Sequence, residues 1–305
     1  MANPRLREQD LAGKVALITG ASRGIGRAIS INLASRGCSI LGTCSSENNI
    51  GLIDSIGAEI DPLFKQADLH RTSKIVGICA NILSPACAQT MADAIAQHFS
   101  GRVDIFVNNA AASGTGTIGD LTTEEIQQSM ISNIQTPVLT VDELVKRKMF
   151  QLGSRIIYVS SVRSRQPWSE QLMYAATKSA GESLCRTWSQ AFGGREEKVS
   201  GVSHSTFPSK LRRILGHAID DLQFSFMAGT TANSVAVGLT QTDSVMQCPP
   251  EALETFKREF IPLQSLPRFG QPDDVADVVG LLCSHDARWI TGCVVSASGG
   301  GIKIG

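Results

Sequence analysis

Lys14-Val15-Ala16-Leu17-Ile18-Thr19-Gly20-Ala21-Ser22-Arg23-Gly24-Ile25-Gly26 decides the architecture. Its first half is a short apolar run with the pattern of a buried strand, and its second half is rich in glycine. Ala28 to Ala34, which follows, is periodic in the manner of a helix, so the glycines stand between a strand and a helix. A glycine cluster alone is an ordinary turn. In this position it permits a tight turn and lets phosphate oxygens approach the unpaired backbone N–H groups at the helix start. Gly20, Ser22, Arg23, Gly24, Ile25 and Gly26 are therefore expected to contact a nucleotide cofactor.

Working outward, Cys38 to Thr43 is a second apolar strand. A fold selective for NAD places an acid at the end of this strand to hold the adenosine ribose. Here Thr43, Cys44, Ser45 and Ser46 stand there, and the first acid is Glu47. Arg23 either faces solvent only or offers its guanidinium fork to a ribose 2′-phosphate. The reading favours NADPH over NADH. Asp61 to Asp68 reads as a short strand leading to Asp68 and Leu69, and two helical patterns reach Phe99, separated by Asn81 to Pro85. Val103 to Val107 is a compact strand that ends in Asn108-Asn109-Ala110-Ala111. Thr122 to Val145 reads as helix, opened by Thr122 or Thr123 ahead of Glu124 and Glu125. Asn133 sits inside it, a disfavoured helix filler placed there to hold a water or to kink the helix.

Ile156 to Val159 is the strand that carries Ser160 and Ser161 at its C-terminal end, and Met173 to Phe192 is a long helix. Ala232 to Val237 resumes as a strand, with Gly238 to Asp243 the loop after it. Pro249 to Phe260 reads as a helix placed to cover a substrate site, Asp273 to Cys283 as the last core helix and Cys293 to Ala297 as the last strand. Short apolar strands alternating with helices define an α/β chain: a Rossmann-type, doubly wound, mostly parallel sheet with helices on both faces. No solenoid period or linker divides it, so residues 1–305 are read as one domain.

Hydrophobic residues make up 42% of the 305, and 28 Lys and Arg balance 28 Asp and Glu, so charge gives no reason to expect nucleic acid or an anionic membrane as partner. Met1 to Asp10 has no apolar secretory core and no run is long enough to span a bilayer, so a cytoplasmic location is expected. The eight cysteines show no paired CxxC spacing and read as small buried hydrophobes, not as disulfides or metal ligands.

The chemistry centres on Ser161, followed by Tyr174 and, one helical turn on, by Lys178. A tyrosine is a poor acid or base near neutral pH because its unperturbed pKa is about 10. A lysine four residues along the same helical face favours the phenolate. Alone, such a pair is a common surface feature. With a strand delivering the serine, the three polar groups meet at one point and suit proton transfer to or from a carbonyl or alcohol oxygen.

Taken together these residues resemble the classical short-chain dehydrogenase/reductase family over nearly the full chain. Thr19 to Gly26 resembles its cofactor loop, Asp68-Leu69 its adenine-side position, and Asn108-Asn109-Ala110 its structural asparagine motif. Asn133, Ser161, Tyr174 and Lys178 match its catalytic tetrad in order; Gly238, Thr240 and Thr242 lie in the loop that receives the nicotinamide. The resemblance implies hydride transfer with NADP(H), with Tyr174 as proton donor in reduction, Lys178 lowering its pKa and holding the ribose, Ser161 on the substrate oxygen and Asn133 on a water. Asn109, Ala110, Tyr174 and Lys178 are expected to touch the cofactor. The implied activity is reduction of a ketone, or oxidation of the matching secondary alcohol, of a small to mid-sized apolar metabolite. The alternative is an NADP(H)-binding sensor or scaffold with impaired catalysis. A homodimer or homotetramer is expected, built on the helices at Thr122 to Val145 and Met173 to Phe192.

Three positions depart from the family pattern: Ala111 replaces a glycine, Val237 a proline and Ser298 an aspartate. Spacing from Asp68 to Asn108 implies an insertion near residues 71–83, and spacing from Tyr174 to Val237 implies another near 199–223. The second has two competing origins, a genuine lid or a translated intron, since Val199-Ser200 can be encoded by a splice donor and Leu222-Gln223 can end in an acceptor.

Overall fold

A computed structural model describes residues 5–114, 116–166, 168–194 and 225–304. Strand β1 (Val15–Ile18) is buried at all four positions, and its alternating side chains feed two separate cores. Ala16 and Ile18 pack on one face with Ile29 and Leu33 of α1 (Gly24–Ala34), and with Val275 and Val279 of α9 (Pro272–Cys283). Val15 and Leu17 pack on the other face with α3 (Cys87–Phe99) and α5 (Thr136–Lys146), through Met91, Ile95, Val141 and Leu144. Burial on both faces is what makes such strands continuously apolar.

The remaining strands are β2 (Ser39–Cys44), β3 (Ile75–Cys79), β4 (Val103–Asn108), β5 (Phe150–Ser161), β6 (Thr231–Val237) and β7 (Val294–Ala297). They form a seven-stranded sheet in the order β3-β2-β1-β4-β5-β6-β7, with every pairing parallel. The order reverses between β1 and β4, which opens a crevice at their C-terminal ends. Thr19 and Asn109 staple that crevice: Thr19 N donates to Val107 O at 3.1 Å, Asn109 N and Ala110 N both donate to Thr19 Oγ1 at 3.0 Å, and Asn109 Nδ2 donates to Thr19 O at 3.0 Å.

The reading around Asp68 needs correction. The chain from Ile50 to Gln66 is helix α2, with Ile53, Ile56, Ile60 and Phe64 facing inward. Pro62 lies on its exposed side. Asp68 takes φ 55°; Asp68 N donates to Lys65 O at 3.2 Å and Leu69 N to Phe64 O at 2.9 Å. This left-handed stop ends the helix, so Asp68 and Leu69 sit before β3 at the far end of the sheet from the crevice. Residues 71–83, where the spacing implies an insertion, contain β3 itself, whose C-terminal neighbour Ala80 donates its N–H to Cys44 O at 2.8 Å. The second inferred insertion, 199–223, lies outside the described residues.

All eight cysteines are free thiols, five of them buried. Among the described residues no helix is long and apolar enough to cross a membrane.

Candidate active site

The glycine loop is built as a cradle. Arg23, ahead of α1, is extended at φ −152° and makes no side-chain cap, and Gly24 has φ +55°. A Cβ at Gly26 would lie 2.1 Å from Gly20 O and 2.5 Å from Asn109 Nδ2, so only glycine allows this closeness. The first-turn N–H groups of α1 have no partner inside the helix and carry the positive end of its dipole. These features fit a dinucleotide phosphate. Across the loop, Thr242 Cγ2 stands 3.5 Å from where a Cβ of Gly24 would be, and Gly238 N donates to Ala297 O at 3.0 Å. Thr240 is buried, its hydroxyl donating to Gly238 O at 3.0 Å. The loop after β6 thus faces the cradle.

Ser161 ends β5, and Tyr174 and Lys178 project from α6 (Leu172–Phe192). All three line one cavity of about 440 Å³ that also reaches Ile25, Asn109 and Gly238. Lys178 is 2% exposed. Its Nζ donates to Val159 O at 2.7 Å and lies 5.5 Å from the Tyr174 ring centroid. Burial pushes its pKa down to about 7. Burial raises the pKa of Tyr174, while the Ser161 hydroxyl and the Arg163 charge act in the opposite direction. The resemblance assigns that lowering to Lys178; here burial weakens the charge of Lys178, and Arg163 contributes a positive field of its own.

Asn133 is fully buried behind the cavity, in the π-helical turn Ile131–Gln135 between α4 (Thr123–Met130) and α5. The wide turn is the kink that an asparagine inside the helix foreshadows. Its side chain accepts from Ala112 N at 2.8 Å and donates to Ala112 O at 2.9 Å and to Thr177 Oγ1 at 3.0 Å. Thr177 lies between Tyr174 and Lys178, so Asn133 fixes the turn that carries both. The backbone carbonyl of Asn133 accepts the Tyr158 hydroxyl at 2.9 Å.

Several functional neighbours escape a reading by motif. Tyr158 is one of only two tyrosines, the other being Tyr174; its ring is fully buried, 5.2 Å from Lys178 Nζ. Gly181 makes room for it, since a Cβ there would sit 2.1 Å from Tyr158 Cζ. Glu182, 3% exposed, accepts from Ser160 Oγ at 2.8 Å and Ser164 Oγ at 2.7 Å and pairs with Arg165, which pins the turn after Ser161. Trp168, Phe256 and Phe260 form an aromatic wall with centroids 5.5–6.0 Å apart. Phe256 and Phe260 arrive on the segment that follows α7 (Asp243–Met246) and begins with α8 (Pro250–Thr255), and both line the cavity. Ala111, the added methyl, lies on the cavity wall, as do Val237 and Ser298.

The fold and the site define a nucleotide-dependent oxidoreductase. The family description "short chain dehydrogenase" matches residues 14–216, and "Enoyl-(Acyl carrier protein) reductase" matches residues 225–301. The short-chain dehydrogenase/reductase FrzI of a Cladobotryum species is 29% identical over 299 aligned positions, covering 96% of this chain and 98% of that protein. L-xylulose reductase of Aspergillus niger is 30% identical over 309 positions, covering 96% and 98%. Among solved structures, the angucycline C-6 ketoreductase LanV with bound NADP superposes with a TM-score of 0.74 at 27% identity, covering 97% of this chain and 98% of its own. The chain belongs to the short-chain dehydrogenase/reductase family.

Proposed function

We propose that this protein reduces a ketone, or oxidises the corresponding secondary alcohol, of a small to mid-sized, largely apolar metabolite with NADP(H). The observation that carries the reading is the convergence of Ser161, Tyr174 and Lys178 on one cavity that runs into the glycine cradle. The bound nicotinamide supplies or accepts the hydride. In reduction, Ser161 hydrogen-bonds the carbonyl oxygen and Tyr174 donates a proton to it as negative charge develops there. Lys178, on the turn that Asn133 clamps through Thr177, holds the ribose and exchanges protons with Tyr174. In oxidation Tyr174 takes the proton back. Asn109, Ala110, Thr240 and Thr242 would help hold the nicotinamide half.

Support for NADP(H) over NAD(H) comes from the adenosine end. Arg27 is engaged by Glu59 and by Ser55 at 3.1 Å, whereas Arg23 is exposed and β2 ends without an acid. LanV was solved with NADP, and a blue fluorescent protein from a metagenomic library, 27% identical with a TM-score of 0.71, with NADPH. Ala80 and Asn81, after β3, take the adenine-side role in place of Asp68 and Leu69. Assembly as a homodimer or homotetramer follows the family's habit, with Ile126, Met130 and Leu139 exposed on α4 and α5; light scattering reads it.

Tyr174→Phe tests the chemistry. It removes one hydroxyl, and NADPH oxidation with a ketone panel should fall by about two to four orders of magnitude while NADPH binding, followed by fluorescence, is kept. Full activity in the variant would refute the mechanism.

A further inference from the structure

The cavity contains a second cation besides Lys178. Arg163, two residues beyond Ser161, is half-buried, its guanidinium carbon 4.7 Å from the Trp168 ring centroid and 4.8 Å from that of Phe260. The two rings are 5.5 Å apart and inclined by 54°, so the cation rests beside both at their shared corner. Among the described residues none accepts a hydrogen bond from its side chain and no carboxylate pairs with it. The neighbouring Arg165, by contrast, is neutralised by Glu182. The described residues of the cavity wall include Arg163 and Lys178 but no Asp or Glu. Burial works against the charge of Arg163, and Tyr174 is close enough for each to affect the ionisation of the other.

A half-buried guanidinium whose donors meet no acceptor among the described residues, in a cavity whose described wall holds no acid, is stabilised by a ligand that brings negative charge. The guanidinium fork favours a planar, bidentate anion, and the adjoining Trp168 and Phe260 favour an aromatic body on it. We propose that Arg163 is a specificity-determining residue that binds a planar oxyanion, so the substrate is a flat, largely apolar carbonyl compound bearing a carboxylate or an ionised phenol or enol. This rests on the ketone-reducing reading of the same cavity and names the substrate class within it.

The test uses the full chain with NADP(H). The ortho-, meta- and para-acetylbenzoates are compared as NADPH-consuming substrates with their methyl esters, and hydroxynaphthoquinone, ionised at neutral pH, is compared with its methyl ether. The better acetylbenzoate should exceed its ester in kcat/KM, and Arg163→Gln should lower that acid-to-ester ratio by about ten- to a hundredfold. Arg163→Lys, which keeps charge without the fork, should fall between. A preference confined to the acetylbenzoates assigns a carboxylate, and one confined to the quinone an ionised enol; both support the site.

A second readout needs no turnover: naphthoate binding to the NADP⁺-loaded protein should quench Trp168 fluorescence, with Trp168→Phe as control. Arg163→Gln should weaken it by the same factor while NADP⁺ binding is kept. Arg163-dependent naphthoate binding without turnover of any ketone would overturn the reaction and leave the anion site standing. Equal handling of acids and esters by the native protein, or ratios unmoved in Arg163→Gln, would overturn the proposal.

Discussion

Replacing Lys178 by Met should change how the stability of the cofactor-free protein depends on pH. Lys178 is 2% exposed and burial lowers its pKa to about 7, whereas in the unfolded chain it titrates near 10.4. Between those values the unfolded state binds one more proton than the folded state, so stability rises with pH. Below the folded pKa both states are protonated, and the full cost of burying the ammonium is present. The total difference is of the order of 5 kcal/mol at about 1.36 kcal/mol per pKa unit. Integrated from about pH 6 to about pH 8.5, the gain is roughly 2 kcal/mol. Urea unfolding of native protein and Lys178→Met across that range measures it. The variant lacks the hydrogen bond to Val159 O, which offsets its curve at every pH, but the difference in slope belongs to the titration. Buried thiols such as Cys185, raised by burial to about 12, act in the opposite sense above the range and are common to both proteins. Parallel curves would refute the argument and mean that water or a local opening solvates the ammonium.

Two further substitutions probe the surroundings of the site. Gly181→Ala puts a Cβ 2.1 Å from Tyr158 Cζ and 2.6 Å from its hydroxyl oxygen, so it should destabilise by about 1–3 kcal/mol. Combined with Tyr158→Ala, its cost should shrink, a coupling read by a double-mutant cycle in urea; strict additivity would show that the two do not share one space. Arg23→Ala should weaken NADPH binding about ten- to a hundredfold while leaving NADH nearly unchanged. Equal losses for both cofactors would remove Arg23 as the 2′-phosphate contact.

What was legible followed local pattern. Lys14 to Gly26 declares strand, turn and helix within thirteen residues, and the Ser161, Tyr174 and Lys178 spacing survives because one strand end and one helix face deliver all three. Asn133 was legible as a misfit inside a helix, and the structure answers with a π-helical turn. Asp61 to Asp68 reads as a short strand, yet Ile53, Ile56, Ile60 and Phe64 keep one buried helical face through Pro62. Spacing anchored on Asp68 passes over β3, which lies inside the span 71–83. Arg163 escaped because its meaning depends on Phe260, brought from a distant covering segment. The bond between Tyr158 and Asn133 escaped because no sequence interval joins a core strand to a helix kink.

These unread contacts explain why the legible residues are held in place. Asn133 grips Thr177, Glu182 grips Ser160 and Ser164, and Tyr158 fills the space that Gly181 leaves. The turn that carries Tyr174 and Lys178, and the turn that follows Ser161, are therefore each fixed from behind by buried hydrogen bonds. Holding reacting groups this way lowers the entropy lost when substrate arrives. The two cations then differ in kind. Lys178 is a buried amine whose charge responds to pH near neutrality, which suits a group that passes protons. Arg163 remains charged throughout the working range, which suits a group that keeps a steady field on Tyr174 and a steady attraction for an anionic substrate. An acid in the cavity wall would cancel both effects, and the described wall has none.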